Sequence, residues 1–254
     1  MQIYHTRSAF VRALQRSLTN RSRFSHKICK QVDPIGMKMS GKFIVFEGVE
    51  GAGKTTQIHK TADWLKSWCG KDRDVVITRE PGGTKLGQQI RQLLLSDLDS
   101  WVGNRTELLL YGADRAQHVE SVIRPQIDRG DIVLCDRFTD STIAYQGYGR
   151  GFDRSEIDRV NQLATGGLQS DLTFWLDLDV EIGLQRVLLR GKPDRMEQAT
   201  LDFHQRVKQG YQELANVYPN RIVRIDANQP EAVVQMEIQA ILIQTQWIEN
   251  RKST

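Results

Sequence analysis

An α/β fold, a five-stranded parallel sheet with helices on both faces, follows from three features of the sequence. Short apolar runs rich in β-branched residues alternate with longer stretches of helical spacing, the pattern of a parallel sheet wrapped by helices. The first run leads straight into a glycine-rich turn and a helix. Later runs end in charged residues, Arg79, Asp136 and Asp177, at the strand edge that faces the ligand crevice of an open parallel sheet. Right-handed crossovers leave few topologies for such a chain.

The first element is FIVFEGVEGAGKTTQ, residues 43–57. Phe43-Ile44-Val45-Phe46 reads as a buried strand. Gly48-x-x-x-x-Gly53-Lys54-Thr55 follows, and a helix is expected from Thr55 to about Trp68, with Ile58, Ala62 and Leu65 facing the core and Gly70 as its stop. Strand, glycine turn and helix in that order form the setting of a phosphate-binding P-loop. Gly48, Gly51 and Gly53 admit backbone conformations that a Cβ forbids, so successive N–H groups can turn toward one phosphate at the helix N-terminus. Lys54 brings a positive charge to the β- and γ-phosphates, and the Thr55 hydroxyl is a suitable Mg²⁺ ligand.

Val75-Val76-Ile77-Thr78 reads as the second strand, with Arg79 and Glu80 at its end because Pro81-Gly82-Gly83 can continue neither strand nor helix. Leu86–Leu95 is helical, residues 96–104 form a loop, and a long helix is expected over Thr106–Arg129, bent near its end by Pro125 and stopped by Gly130. Tyr111 and Arg115, four apart, share a face of it. Ile132-Val133-Leu134-Cys135 is the third strand. Asp136 at its end can hold Mg²⁺ through water, and Arg137 beside it can grip a phosphate in a fork. Ser141 to Gly147 offers polar and aromatic groups suited to a base and a sugar, and residues 147–151 read as loop. A helix over 156–165, a fourth strand over 172–178 and a helix over 180–189 follow. Asp179 is better placed to cap that helix than to bind metal with Asp177. A basic loop, residues 190–195, breaks it. A helix over 201–218, a fifth strand over 222–225 and a last helix to about Trp247 complete the chain.

The P-loop implies a nucleoside triphosphate, and the remaining motifs narrow the reaction. There is no Asn-Lys-x-Asp guanine-reading motif, and no strand ends in the Asp-Glu pair usual for a hydrolytic ATPase. Arginines recur instead at strand ends and in a late loop: Arg79, Arg137, Arg186, Arg190 and Arg195. Separated guanidiniums suit phosphoryl transfer between two anionic substrates, whose repulsion must be neutralised before in-line attack. No general base is then essential, because an acceptor phosphate oxygen is already ionised.

The blocks FEGVEGAGKTTQ, TREPGGT, LLLYGADRAQHV, DRFTDSTIAYQGYGRG and LDLDVEIGLQRVLLRGKPDRMEQ, in this order and spacing over roughly residues 41–245, resemble the successive signatures of the bacterial-type thymidylate kinases. The resemblance implies a nucleoside monophosphate kinase-like fold with a short lid, and a Mg²⁺-dependent transfer from ATP to dTMP that yields dTDP for dTTP biosynthesis. It assigns the ATP phosphates to Gly48, Val49, Glu50, Gly51, Ala52, Gly53, Lys54, Thr55 and Thr56, with Thr55 and Asp136 around Mg²⁺. Glu50 approaches the sugar 3′-hydroxyl, Arg79 and Arg137 hold the dTMP phosphate, Tyr111 stacks on thymine and Arg115 reads the base edge. Ser141, Thr142 and Tyr145 line base and sugar, Tyr145 disfavouring a 2′-hydroxyl. The P-loop interior carries no arginine, so lid residues Arg186, Arg190 and Arg195 supply the catalytic cation, Arg190 foremost. Leu188 stands where some relatives have another arginine. The resemblance also implies a homodimer through the long helices. A kinase for another nucleoside monophosphate and a catalytically silent nucleotide-binding module are the competing readings.

Composition sets the frame. The 254 residues are 39% hydrophobic and 26% charged, enough for a large core, and no apolar run approaches the roughly 18 residues of a membrane span. Cys29, Cys69 and Cys135 are scattered, as expected of reduced thiols in a cytoplasm-like compartment. The net charge of +4 is uneven. Residues 1–40 hold eight basic side chains against Asp33 alone, and residues 41–254 are mildly acidic, which gives no reason to expect nucleic-acid binding. The Arg/Ser-rich tail, residues 1–38, fits an organellar transit peptide, a disordered tail or a misassigned start, with the catalytic domain in residues 39–254.

Overall fold

A computed structural model describes residues 40–69, 73–96, 102–245 and 247. The tail, the stop at Gly70 and most of the expected 96–104 loop lie outside the described residues. Five strands, β1 (Lys42–Glu47), β2 (Val75–Arg79), β3 (Ile132–Asp136), β4 (Leu172–Asp177) and β5 (Ile222–Asp226), form one sheet in the order β2-β3-β1-β4-β5, and all four pairings are parallel. Successive residues of β1 serve opposite faces. Ile44 and Phe46 join a large core with Ile58, Ala62 and Leu65, whereas Phe43 and Val45 pack with Val119, Ile123, Val133 and Phe138. Both faces are therefore buried, which is why β1 reads as an unbroken apolar run.

The helices are α1 (Lys54–Cys69), α2 (Lys85–Leu95), α3 (Asn104–His118), α4 (Arg124–Arg129), α5 (Thr139–Thr142), α6 (Arg154–Thr165), α7 (Val180–Arg190), α8 (Leu201–Val217) and α9 (Glu231–Gln244). Three differ from expectation. The single helix expected over 106–129 is α3 and α4, joined by a π-helical turn, Val119–Ile123, in which the Arg124 N–H bonds the Val119 carbonyl five residues back. Pro125 is the cause: it lacks an N–H and crowds the preceding turn, and a wider turn relieves the clash. Part of the expected 147–151 loop is helical, because a second π-helical turn, Ile143–Gly149, extends α5. Its glycine is needed for packing, since a Cβ at Gly149 would stand 2.6 Å from the Phe203 ring of α8. The last helix stops at Gln244, before Trp247.

Asp179 caps α7 as expected, accepting from the Glu181 and Ile182 N–H groups. Asp177 is neutralised by Lys208 at 2.9 Å and by Arg224 Nε at 2.7 Å. The metal reading of that pair is thereby displaced.

Candidate active site

The register of the sheet assembles the site. Arg79 lies opposite Asp136, and Asp136 opposite Phe46, so the charged ends of β2, β3 and β1 stand side by side. Above them a cleft of about 620 Å³ is lined by residues 50–56 of the P-loop, by Arg79, Tyr111, Arg115, Asp136, Arg137, Ser141, Thr142 and Tyr145, and by Arg186 and Arg190 from α7. Arg195 is the one proposed ligand among the late arginines that does not line it.

The P-loop turns with Gly48 at φ 143°, Gly51 at 71° and Gly53 at 86°, all in the region that L side chains avoid. Lys54 opens α1 and is nearly buried. Its Nζ donates to the carbonyls of Gly48 (3.1 Å) and Val49 (3.0 Å). Burial, and then the charge of Arg137, hold its pKa below the usual lysine range. The Thr55 hydroxyl donates to Asp136 Oδ2 at 3.1 Å. A hydroxyl and a carboxylate at the mouth of a phosphate site are hard oxygen donors and fit Mg²⁺. Among the described residues no group of three or more His, Cys, Asp or Glu forms a complete metal cage. Substrate phosphates and water would supply the rest of the shell, as Mg²⁺ usually requires.

Arg137 has φ 71°, rare for a residue with a Cβ. Its Nη1 donates to the Gly48 carbonyl, the Ser141 hydroxyl and the Tyr211 hydroxyl, each at 3.1 Å. Nη2 donates to Glu50 Oε1 (2.6 Å) and the Tyr145 hydroxyl (2.9 Å), and the guanidinium lies 4.8 Å from the Tyr145 ring centre. Glu50 also accepts from Tyr145 at 2.8 Å. Burial alone would raise the Glu50 pKa, but Arg137, Lys54 and the Tyr145 hydroxyl overcome it and bring it down to about 2. Glu50 is thus a fixed anion between two fixed cations.

On the opposite wall Arg115, only 2% exposed, donates to Glu80 (2.8 Å), Thr142 (2.9 Å), Asn161 (2.7 Å) and the Phe138 carbonyl (3.0 Å). These bonds use four of its five N–H groups. Glu80 also meets His118 Nδ1 at 2.9 Å, tying the TREPGG loop to α3. Tyr111, one turn before Arg115, presents its ring to the cleft; burial, and then Glu107, push its hydroxyl pKa up. Arg79 is exposed. Close to it stands Arg91 of α2, whose Nη1 donates to the Pro81 carbonyl at 3.0 Å and whose pKa burial and Arg79 lower.

The lid arginines differ among themselves. Arg186 donates to the Gly51 carbonyl at 3.2 Å. Arg190, 67% exposed, is ion-paired with the buried Glu197. Arg195 is held by the body instead: Nη2 donates to Glu107 at 2.6 Å and Nε to the Leu94 carbonyl at 2.7 Å. Glu107, wholly buried, also takes Arg150 and Gln146.

Sequence reasoning missed Glu47, Tyr211, Asn161, Arg91 and Glu107, and it placed Glu80 at the end of β2 without giving it a role in the site. For Glu47 and Glu80 a signal existed, an acid at a strand's C-terminal edge next to a motif already in hand. Tyr211, Asn161 and Glu107 sit on helices distant in sequence from what they contact, and no local pattern marks them.

A parallel sheet with a P-loop, a carboxylate–hydroxyl pair for a hard cation and a second wall of arginines defines a nucleoside monophosphate kinase-like P-loop enzyme. The thymidylate kinase family model matches residues 46–238. The chain is 61% identical over 219 residues to the thymidylate kinase of Trichodesmium erythraeum, covering 81% of this chain and 96% of that one. It is 56% identical over 206 residues to that of Nostoc punctiforme, covering 80% and 96%. The crystal structure of thymidylate kinase from Ehrlichia chaffeensis superposes with a TM-score of 0.67 at 36% identity, over 80% of this chain and 99% of that one. The chain belongs to the thymidylate kinase family.

Proposed function

We propose that the enzyme moves the γ-phosphoryl group of ATP to the 5′-phosphate of dTMP, giving ADP and dTDP, with Mg²⁺ held by Thr55, Asp136 and the phosphates. One observation carries this reading. Lys54 and Arg137, the donor-side and acceptor-side cations, both donate to the Gly48 carbonyl at 3.1 Å. Two phosphates that engage these side chains meet at one point beside the P-loop, where in-line transfer needs them.

The roles follow. The P-loop N–H groups and Lys54 take the ATP phosphates. Bound Mg²⁺ would neutralise charge on the β- and γ-oxygens. Arg137, with the exposed Arg79, grips the dTMP phosphate, and Glu50 is placed for the 3′-hydroxyl. The Tyr111 ring covers thymine, worth about 0.5–1.5 kcal/mol beyond its area. Arg115, largely committed to the scaffold, stiffens the base wall together with Thr142. Arg190 leaves Glu197 for the transferred phosphate, and Arg186 stays by the P-loop. Arg195 anchors the end of the lid.

A homodimer through the long helices fits the exposed Leu109 and Leu163 on α3 and α6; a mass measured in solution that stays monomeric at high concentration would rule it out. The scattered cysteines, with Cys135 free and buried, fit a reducing, cytoplasm-like compartment. Among the described residues no helix is long and apolar enough to cross a membrane. Residues 1–38 stand outside the catalytic domain. The deciding experiment is a panel of nucleoside monophosphates assayed with ATP and Mg²⁺. dTMP is expected to lead, with some dUMP turnover, because one methyl contact discriminates by only about 1–3 kcal/mol. Preference for UMP would reverse the assignment.

A further inference from the structure

Glu47, the last residue of β1, is wholly buried beneath the cleft, and none of the roles above uses it. Its carboxylate accepts four hydrogen bonds: from the Phe138 N–H (2.8 Å), the Ser141 N–H (3.1 Å), the Ser141 hydroxyl (2.5 Å) and the Tyr211 hydroxyl (2.8 Å). The two hydroxyls, with the Gly48 carbonyl, receive the Nη1 edge of Arg137. The two backbone donors belong to the turn immediately after Arg137, whose left-handed conformation must be held by its surroundings. We propose that Glu47 is a positioning residue for the acceptor phosphate: through Ser141, Tyr211 and the backbone after Arg137 it fixes the guanidinium in the orientation that grips dTMP. This rests on the reading of Arg137 as the acceptor-phosphate residue.

An ionised carboxylate only accepts hydrogen bonds. The Ser141 and Tyr211 hydroxyls also lie 2.9 Å from each other, and an ionised Glu47 draws both protons to itself, which leaves their lone pairs for Arg137. A protonated acid or an amide places a donor there and divides those lone pairs. The charged and titratable groups facing Glu47 are Asp140 of α5, Arg137 and Cys135 at the end of β3, Tyr211 of α8, Lys54 at the head of α1 and Arg221 just before β5. Burial and Asp140 raise the Glu47 pKa to about 7 against the pull of Arg137 and the hydrogen bonds. The positioning form therefore fills as pH rises through neutrality.

The test is calorimetric titration of the full chain with dTMP, and separately with ATP, from about pH 6 to about pH 8.5, for wild type, Glu47→Gln, Tyr211→Phe and Arg137→Lys. Glu47→Gln and Tyr211→Phe are expected to weaken dTMP binding by roughly tenfold, the effect of disturbing one hydrogen bond to a charged group, and to leave ATP binding unchanged. The advantage of wild type over Glu47→Gln should grow as pH rises. The phosphate of dTMP titrates near pH 6 for all variants alike, so the ratio isolates Glu47. Tyr211→Phe keeps its ring stacked on Trp175 and gives an answer even if Glu47→Gln does not fold. If Arg137→Lys loses dTMP while both other variants bind as wild type does, the inference is overturned and the role of Arg137 survives. If Arg137→Lys binds dTMP normally, both fall.

Discussion

The cleft wall and the lid hold their arginines in opposite ways, although the function proposed above asks both to serve bound nucleotides. Arg137 is half-buried and makes five hydrogen bonds, and the buried Arg115 makes four. Neither can leave without orphaning several partners. Arg186 and Arg190 are exposed, and among the described residues they bind the Gly51 carbonyl and Glu197. The Arg190 end of its pair with the buried Glu197 is 67% exposed, so water screens the attraction and a polyphosphate can compete for the guanidinium. A wall that is finished before substrate arrives selects the substrate by shape, whereas cations that are loosely held can be assembled last, around the charge that develops.

The contrast can be broken in graded steps. Arg190→Ala should lower kcat by about 10³–10⁵, the arginine-finger range, and leave dTMP affinity intact. A loss below about tenfold, in a protein that melts as wild type does, would remove Arg190 from the transferred phosphate. Arg137→Ala should weaken dTMP binding by about a hundredfold or more and also lower the melting temperature, because Glu50 keeps its charge in a site built around a cation. Steady-state kinetics with dTMP varied at saturating ATP, beside a thermal melt, checks both effects. Glu107→Gln should cost about 2 kcal/mol of stability by denaturant titration. That is below the value for a sealed pair, because Arg150 and Arg195 keep partial access to water. A further change expected is a pH effect. The raised Glu47 pKa stabilises the fold fully below about pH 4.5, and this contribution is lost as pH climbs through about 7. Glu47→Gln should therefore gain on wild type in melting temperature between those values. Glu50 behaves oppositely: its stabilisation holds above its ordinary range and is lost as pH falls toward about 2.

Much of this was legible in the sequence because it is local. Strands, P-loop, Asp136-Arg137 and the cap at Asp179 are written in runs of a few residues, and each stands where its run places it. Helix interruptions were not, since a π-helical turn leaves the apolar spacing of its flanks nearly intact; only Pro125 marked one of them. Side-chain partnerships were least legible. Tyr211 and Glu47 meet across 164 residues, and Glu107 captures Arg195 across 88. Arg195 looked like a nucleotide ligand because a basic cluster near a phosphate site is read by proximity in sequence. A buried carboxylate on α3, invisible to that reading, holds its guanidinium instead.

One close contact has a mechanical consequence. A Cβ on Gly51 would stand 2.3 Å from the Gly183 carbonyl, and a Cβ on Gly183 would stand 2.3 Å from that of Glu50. Main chain rests on main chain there, with no side chain to act as a bearing. The tip of the P-loop and the first turn of α7 are thereby set at main-chain distance, and the same unbroken helix carries Arg186 and Arg190 outward from that contact.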